Sequence, residues 1–279
     1  MTHAGRAMRY AKESGGGAVQ FYSDEIQSWS RARMQLETDL CAAVRSGALT
    51  LHYQPKVDLR SGRFYGVEAL MRWTHAGRGE VPPEVFIPVA EDIGLIQSMG
   101  AWALRTACAQ AASWSRAGLP ALSVAVNVSA LQLDGDGLLN TVREALTAAG
   151  VAADRLILEL TEGLIMSDPR HSVEVLKSLK TLGVKISVDD FGTGYSSLAY
   201  LKRLPPDELK VDQSFVKNIP LDQDDMAIVA AVIALARSLG LHLVAEGVET
   251  EAQRAFLAAQ DCDACQRATC SPDPCRQKR

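Results

Sequence analysis

Strand-like and helix-like segments alternate along most of this chain, and this alternation restricts the fold more than any other feature. Eight short apolar segments are typical of buried strands, at 49–57, 64–72, 123–129, 156–162, 185–190, 208–212, 242–247 and 262–266. Helix-like segments lie between them, at 84–94, 98–117, 136–149, 171–182, 196–203, 224–239 and 250–259. The pattern predicts an α/β fold, a (β/α)8 TIM-like barrel.

The first two strands depart from the regular barrel pattern. Only residues 58–63 separate them, and a crossover between parallel strands needs a dozen residues or more. We therefore predict a hairpin, which makes one barrel strand antiparallel. A further helix at 24–47 precedes the barrel. An open doubly wound sheet is the alternative, but no glycine-rich phosphate turn follows an early strand.

Composition excludes several classes of function. The net charge is -4, so a large basic surface for DNA or RNA is not expected. No apolar run approaches the roughly 20 residues that span a bilayer, and the first residues lack the apolar stretch of a signal peptide. We therefore expect a cytoplasmic protein without a membrane segment.

Acidic side chains cluster where the predicted strands end, and barrel enzymes carry their active sites at the carboxyl ends of the strands. In chain order, the charged and amide residues at these ends are Glu68, Arg72, Asn127, Glu159, Glu162, Asp189, Asp190, Lys210, Asp212, Glu246 and Glu249. Each acid interrupts or ends an apolar segment that should be buried. Burying a polar group without a hydrogen-bond partner costs about 2–7 kcal/mol, and burying an unpaired charged carboxylate costs more.

Five of these acids, Glu68, Glu159, Asp189, Asp190 and Glu246, would meet at one barrel mouth. The strand ends offer only Lys210 and Arg72 as nearby cations, so repulsion between the carboxylates would be severe. Bound divalent cations resolve this conflict. Oxygen ligands with an asparagine amide favour Mg²⁺ or Mn²⁺ over zinc, and the adjacent aspartates allow two ions to share the site. Alternatively, individual acids cap helices or end strands in solvent.

The six cysteines allow two interpretations. Cys262 and Cys265 have CxxC spacing, and Cys270 and Cys275 follow, which is a zinc-like arrangement. No turn or histidine frames a closed tetrahedral site, however, so we favour accidental cysteines in an unusual tail. Cys41 and Cys108 occupy apolar, helix-like patterns and are predicted to be small core residues.

An ordered set of segments identifies a family resemblance. EALMRW, NVSA, ILELTE, DDFGTGYSSL, LKVDQSFV and AEGVET follow one another in this order, together with YQPKVDL and FIPVAEDIGLI. In these segments the chain resembles the EAL-domain cyclic di-GMP phosphodiesterases over roughly residues 30–266. The resemblance implies hydrolysis of cyclic di-GMP to linear 5′-pGpG with two Mg²⁺ or Mn²⁺ ions.

The resemblance also implies roles for individual residues. The implied metal ligands are Glu68, Asn127, Glu159, Asp189, Asp190 and Glu246. Glu68, Glu246 and Lys210 are implied to be catalytic, and Gln54, Arg72 and Gln266 to contact the substrate. Glu162 and Glu249 are implied to fix the loop Phe191–Ser197.

Phosphodiester chemistry is consistent with these residues. Two cations about 3.5–4 Å apart can activate water and neutralise the phosphoryl oxygens. Lys210, beside many carboxylates, should stay charged and orient water or hydroxide rather than act as a base; a plain salt bridge is its alternative role. The alternative functions are a non-catalytic cyclic di-GMP receptor and a metal-dependent barrel enzyme for another phosphoester.

Both ends of the chain differ from the barrel. Residues 1–22 resemble the end of a GGDEF domain, so we expect the EAL barrel at 23–266 to follow a GGDEF neighbour, and a homodimer is compatible with the family. Residues 267–279 do not continue the family pattern after Gln266, and one coding of this segment gives Gly-Tyr-Leu-Phe in another frame. We therefore interpret 267–279 as a frame-shifted tail. It would leave the last strand and helix incomplete, open the barrel edge and impair activity.

Overall fold

The computed structural model describes residues 24–135, 137–193, 201 and 203–267. The predicted GGDEF remnant at 1–22, Cys270, Cys275 and the tail from 268 lie outside the described residues, as does most of the predicted helix 196–203. Those expectations stay predictions. Among the helices of the described ranges, none combines the length and apolar character needed to span a bilayer.

The chain divides into two compact units, and the division falls within two strands. The smaller unit comprises residues up to Thr50 and Arg72–Leu95. It contains helix α1 (Asp24–Ser46), strand β3 (Gly79–Val81) and helix α2 (Pro83–Asp92). Within it, Trp73 is buried and its ring meets the ring of Phe86 edge-on at 5.9 Å. This aromatic pair forms part of the apolar interior of the unit.

The larger unit comprises Leu51–Met71 and the chain from Ile96, and it contains the barrel. The barrel strands are β1 (Leu49–Asp58), β2 (Phe64–His75), β4 (Ser123–Asn127), β5 (Leu156–Thr161), β6 (Lys185–Phe191), β7 (Glu208–Val211), β8 (His242–Val248) and β9 (Ala264–Arg267). The helices of this unit are α3 (Ile96–Arg116), α4 (Ala130–Leu133), α5 (Leu138–Ala149), α6 (Glu162–Ser167), α7 (Pro169–Lys180), α8 (Gln213–Val216), α9 (Gln223–Leu239) and α10 (Glu251–Ala259), with a 3₁₀ turn at Ala153–Arg155.

The eight barrel strands form a closed ring in the order β1-β9-β8-β7-β6-β5-β4-β2, and β2 pairs again with β1. Neighbours from β2 through β4 to β9 are parallel, whereas β1 runs antiparallel to β9. The predicted hairpin is confirmed, because the backbone N–H of Asp58 donates to the carbonyl of Arg63 at 3.0 Å. The predicted mixed α/β barrel is therefore the observed fold.

The last strand is short but it completes the ring. Residues 264–267 pair with β8 on one side, and on the other side Gln266 lies opposite Lys56. Our expectation of an open edge at this strand is wrong for the described residues, because four residues suffice to pair with both neighbours. Cys262 and Cys265 are buried here, Cys108 is buried in α3, and Cys41 is half-buried.

The outer face of the barrel forms the apolar core. In β5, Leu156, Leu158 and Leu160 belong to this core, where the helices pack. Successive strand residues point to opposite faces, so Ile157 and Glu159 of the same strand face the barrel interior. The same alternation in the other strands directs polar side chains inward, and this brings the candidate site together.

Candidate metal centre

Four carboxylates from four different strands meet inside the barrel near the carboxyl ends of the strands. They are Glu68 in β2, Glu159 in β5, Asp189 in β6 and Glu246 in β8. Glu68 and Glu159 each lie between two residues of the outer apolar core, and Asp189 and Glu246 each follow one, so strand alternation turns all four inward. The convergence predicted from the sequence is therefore present.

Lys210 is the common contact of these four carboxylates. Its Nζ lies 2.6 Å from Glu246 Oε1, 2.9 Å from Asp189 Oδ2, 3.2 Å from Glu159 Oε2 and 3.3 Å from Glu68 Oε2. Its side chain is only 1% exposed. Burial opposes the charge, but the carboxylates, Glu159 first, outweigh it and raise the pKa of Lys210 well above its ordinary value. Lys210 is therefore an ammonium group, as expected from the sequence.

The carboxylates form two overlapping groups that could each hold a cation. Glu68, Glu159 and Asp189 offer oxygen atoms within 4.8 Å of one another, and so do Asp189, Asp190 and Glu246. Asp189 belongs to both groups. The donors are all oxygens, the ligand type that Mg²⁺ and Mn²⁺ prefer. The donor chemistry therefore fits two such ions sharing one carboxylate.

A backbone irregularity brings the two adjacent aspartates to the same end of the barrel. The pairing of β6 with β7 shifts register between Val188 and Phe191, and Asp190 has φ 53, in the left-handed region. The backbone N–H of Asp190 also donates to Asp189 Oδ1 at 2.9 Å. In a regular strand, neighbouring residues would point to opposite faces, so this bulge is what places both carboxyl groups at one site.

Two amide side chains hold Glu68 in place. Asn127 Nδ2 donates to Glu68 Oε1 at 2.7 Å, and Gln266 Nε2 donates to Glu68 Oε2. Gln266 is buried, and its Oε1 has no hydrogen-bond partner among the described residues. A buried acceptor of this kind needs a donor, and water bound at the metal centre would be one.

The carboxylates of the cluster differ in their readiness to ionise. Burial opposes ionisation of Glu68, but Lys210 and Lys56, with the two amide hydrogen bonds, outweigh it and lower the pKa of Glu68 to about 2. Burial, followed by repulsion from Glu68, raises the pKa of Glu159 to about 8. A cluster in which one carboxyl group ionises at the expense of its neighbour lacks positive charge, and a bound divalent cation would supply it.

Two carboxyl groups of the second set, Asp189, Asp190 and Glu246, also have raised pKa values. Burial raises the pKa of Glu246 to about 7, against the attraction of Lys210. Burial and repulsion from Asp189 raise the pKa of Asp190 to about 6. Raised carboxyl pKa values clustered in one cleft are typical of functional sites, and here every affected group is a predicted metal ligand.

Lys56 is a second buried cation that sequence analysis did not count. It lies in β1, is fully buried, and its Nζ contacts Glu159 Oε1 at 2.7 Å and Glu208 Oε1 at 2.8 Å. Glu208 also accepts a hydrogen bond from Ser187 Oγ at 3.1 Å. The segment YQPKVDL contains this lysine, but the sequence alone does not show that position 56 faces the barrel interior.

The remaining predicted site residues lie as follows. Glu162 begins α6, and its Oε2 accepts a hydrogen bond from the backbone N–H of Gly192 at 3.1 Å, at the start of the predicted loop. Glu249 follows β8 and its backbone N–H donates to Gln253. Gln54 is half-buried in β1, and Arg72 in β2 forms an ion pair with Glu80 at 3.8 Å. Their substrate and loop roles stay predictions.

Comparison with known proteins places the chain in a family. It matches the EAL domain over residues 37–271. The chain belongs to the EAL domain family. It is 46% identical over 266 residues to "Bifunctional diguanylate cyclase/cyclic di-GMP phosphodiesterase MucR" of Pseudomonas aeruginosa, which covers 95% of this chain and 39% of that protein. It is 45% identical to "Cyclic di-GMP phosphodiesterase NbdA" of the same organism, over 94% of this chain and 34% of that protein.

A solved structure supports the fold assignment of this EAL domain. The chain is 48% identical to the "PaMucR Phosphodiesterase, c-di-GMP complex", with a TM-score of 0.82 over 85% of this chain and 98% of that chain. This chain spans less than two fifths of the length of the MucR and NbdA proteins.

Proposed function

We propose that this EAL domain hydrolyses cyclic di-GMP to linear 5′-pGpG with two Mg²⁺ or Mn²⁺ ions, and so lowers the concentration of that second messenger. The observation that carries the proposal is the pair of overlapping carboxylate groups that share Asp189 around a buried Lys210. The names of MucR and NbdA support the choice of substrate.

Six residues would hold the ions: Glu68, Asn127, Glu159, Asp189, Asp190 and Glu246. Two divalent cations there would supply an activated water and neutralise charge on the phosphoryl oxygens. The Nδ2 group of Asn127 donates a hydrogen bond to Glu68. This leaves Asn127 Oδ1, on the other side of the amide, available as a metal ligand.

Lys210 would orient the attacking water and stabilise the developing charge. As an ammonium it has hydrogens to donate and no acceptor, so it cannot remove a proton from the water. Its buried position, fixed by several carboxylates, provides a preorganised charge of the kind that lowers a transition-state barrier. Its contribution should therefore appear mainly in kcat.

The proposed substrate contacts are Gln54, Arg72 and Gln266. Gln266 already links β9 to Glu68, and its buried Oε1 still needs a donor. Glu162 and Glu249 are proposed to fix the loop that follows the aspartate pair. Glu162 supports this through its bond to Gly192, which directly follows β6.

The test is to incubate the purified chain with cyclic di-GMP and Mn²⁺ and to separate the nucleotides by chromatography. The expected product is pGpG; Glu68→Gln should give none, whereas the matched control Glu144→Gln on the exposed face of α5 should retain full activity. Saturable binding without product would indicate a cyclic di-GMP receptor. Turnover of bis-p-nitrophenyl phosphate but not of cyclic di-GMP would indicate another phosphoesterase.

A further inference from the structure

A second layer of polar side chains lies beneath the carboxylates of the metal centre. Its members are Lys56, Glu208 and Ser187, all buried. Lys56 Nζ bridges Glu208 Oε1 at 2.8 Å and Glu159 Oε1 at 2.7 Å. Because β1 and β5 are not neighbours in the ring, the contact between Lys56 and Glu159 crosses the barrel interior.

The two oxygens of Glu159 have different cationic partners. Oε1 contacts Lys56 at 2.7 Å, and Oε2 contacts Lys210 at 3.2 Å. Oε1 therefore points toward the second layer and Oε2 toward the metal centre. The terminal torsion of a glutamate is otherwise broad, so a partner is needed to hold one oxygen in this direction.

We propose that Lys56 is a positioning residue that fixes Glu159 so that its Oε2 faces the metal centre. The inference rests on the proposed metal-dependent function. Metal ligands must be held within about 0.5 Å of their productive geometry. Hydrogen-bonded partners of metal ligands supply this restraint, and losing one typically costs about 10–100-fold in metal affinity or activity.

The alternative is that Lys56 only neutralises buried charge. A charge-matched variant separates this role from the positioning of Glu159. With both carboxylates ionised, Glu159, Glu208 and Lys56 together carry one net negative charge. In Lys56→Met/Glu208→Gln, Glu159 alone carries one negative charge. The net charge is unchanged and Glu208 is not left as an unpaired buried carboxylate, so the main loss is the partner that restrains Glu159 Oε1.

Two further variants complete the comparison. Lys56→Gln/Glu208→Gln keeps a hydrogen-bond donor at position 56 and should recover part of the restraint. Lys180→Met/Asp207→Asn removes a different ion pair of the same unit, whose Nζ to Oδ1 distance is 2.7 Å, and controls for the general loss of a salt bridge. Circular dichroism and thermal unfolding establish that each variant is folded.

The readout is Mn²⁺ binding by electron paramagnetic resonance, which does not depend on turnover. Lys56→Met/Glu208→Gln should weaken the Mn²⁺ Kd about 10–100-fold, the glutamine variant less, and the control by no more than about threefold. At saturating Mn²⁺, kcat should fall while KM for cyclic di-GMP stays within about threefold, because position rather than substrate contact is lost.

A Kd for Mn²⁺ in Lys56→Met/Glu208→Gln that is equal to or tighter than that of the wild type would overturn the inference and leave Lys56 as a charge partner. Failure of the proposed function has a different signature. A wild type that binds Mn²⁺ but leaves cyclic di-GMP intact would refute hydrolysis, and the Mn²⁺ comparison between variants would still decide the role of Lys56.

Discussion

Replacing Lys210 by methionine should destabilise the metal-free domain strongly, and the structure gives the scale. Lys210 is buried against four carboxylates, and removing one partner of a buried ion pair costs about 3–5 kcal/mol. For a domain of this size, each kcal/mol lowers Tm by about 2–4 °C. Lys210→Met should therefore lower Tm by about 6–20 °C without metal.

Mn²⁺ should reverse much of this loss. In the variant the carboxylates have lost their shared ammonium group, and a bound cation replaces its charge. At 100 times its Kd, Mn²⁺ adds about 2.7 kcal/mol to the free energy of unfolding. The Mn²⁺-induced rise in Tm should exceed that of the wild type. The assay is differential scanning fluorimetry with and without Mn²⁺. Because Lys210 acts as a preorganised charge, kcat should fall at least about 100-fold even when Mn²⁺ restores Tm.

Lys180→Met is the matched control, because its side chain is 31% exposed in its pair with Asp207. A partly exposed pair contributes about 0–1 kcal/mol, so its Tm should fall by less than about 4 °C and its response to Mn²⁺ should equal that of the wild type. The reasoning would be refuted if Lys210→Met were no less stable than this control in chelator, or if Mn²⁺ stabilised it less than the wild type.

Further outcomes follow from the same site. Glu68→Gln should abolish measurable turnover and weaken Mn²⁺ binding, as calorimetry would show; unchanged binding would contradict its role as a ligand. Thorough EDTA treatment should stop hydrolysis and Mg²⁺ or Mn²⁺ should restore it, with Ca²⁺ poorly effective because of its looser coordination; persistent activity in EDTA would argue against a metal enzyme. Gly247→Ala should lower Tm by several degrees, because Gly247 has φ +65 and an added Cβ would lie 2.6 Å from Gln213 Cβ; an unchanged Tm would show that the backbone around Gly247 relaxes freely. Replacing residues after Gln266 by a Gly-Tyr-Leu-Phe continuation and a closing helix should raise Tm and the rate of pGpG formation; equal values would show that the tail is harmless.

The fold was largely predictable because long amphipathic helices and buried strands carry strong periodicity. The hairpin at 58–63 followed from the shortness of the segment that connects the first two strands. Short elements were missed, such as Ala130–Leu133, Glu162–Ser167 and Gln213–Val216, because four to six residues contain fewer than two helical turns and leave no clear period. The β3 strand was also not predicted, because its three residues are too few to show the alternation of a strand.

The acids of the site were predictable because each interrupts a buried strand, but their contacts were not. Lys56 lies in an alternating strand where an inward lysine looks like an exposed one in the sequence, since only the closed ring reveals which face is the interior. Asp190 required the bulge in β6, which depends on pairing with β7. Gln266 reaches Glu68 only because β9 closes the barrel.

The most direct test of the central claim is hydrolysis of cyclic di-GMP in ¹⁸O-labelled water by the Mn²⁺-loaded chain, followed by mass spectrometry. We expect pGpG that carries one ¹⁸O atom in its 5′-phosphate, formed by the wild type and absent with Glu68→Gln. Cyclic di-GMP recovered intact from a folded, Mn²⁺-loaded wild type would contradict the claim that this carboxylate cluster is a phosphodiesterase site.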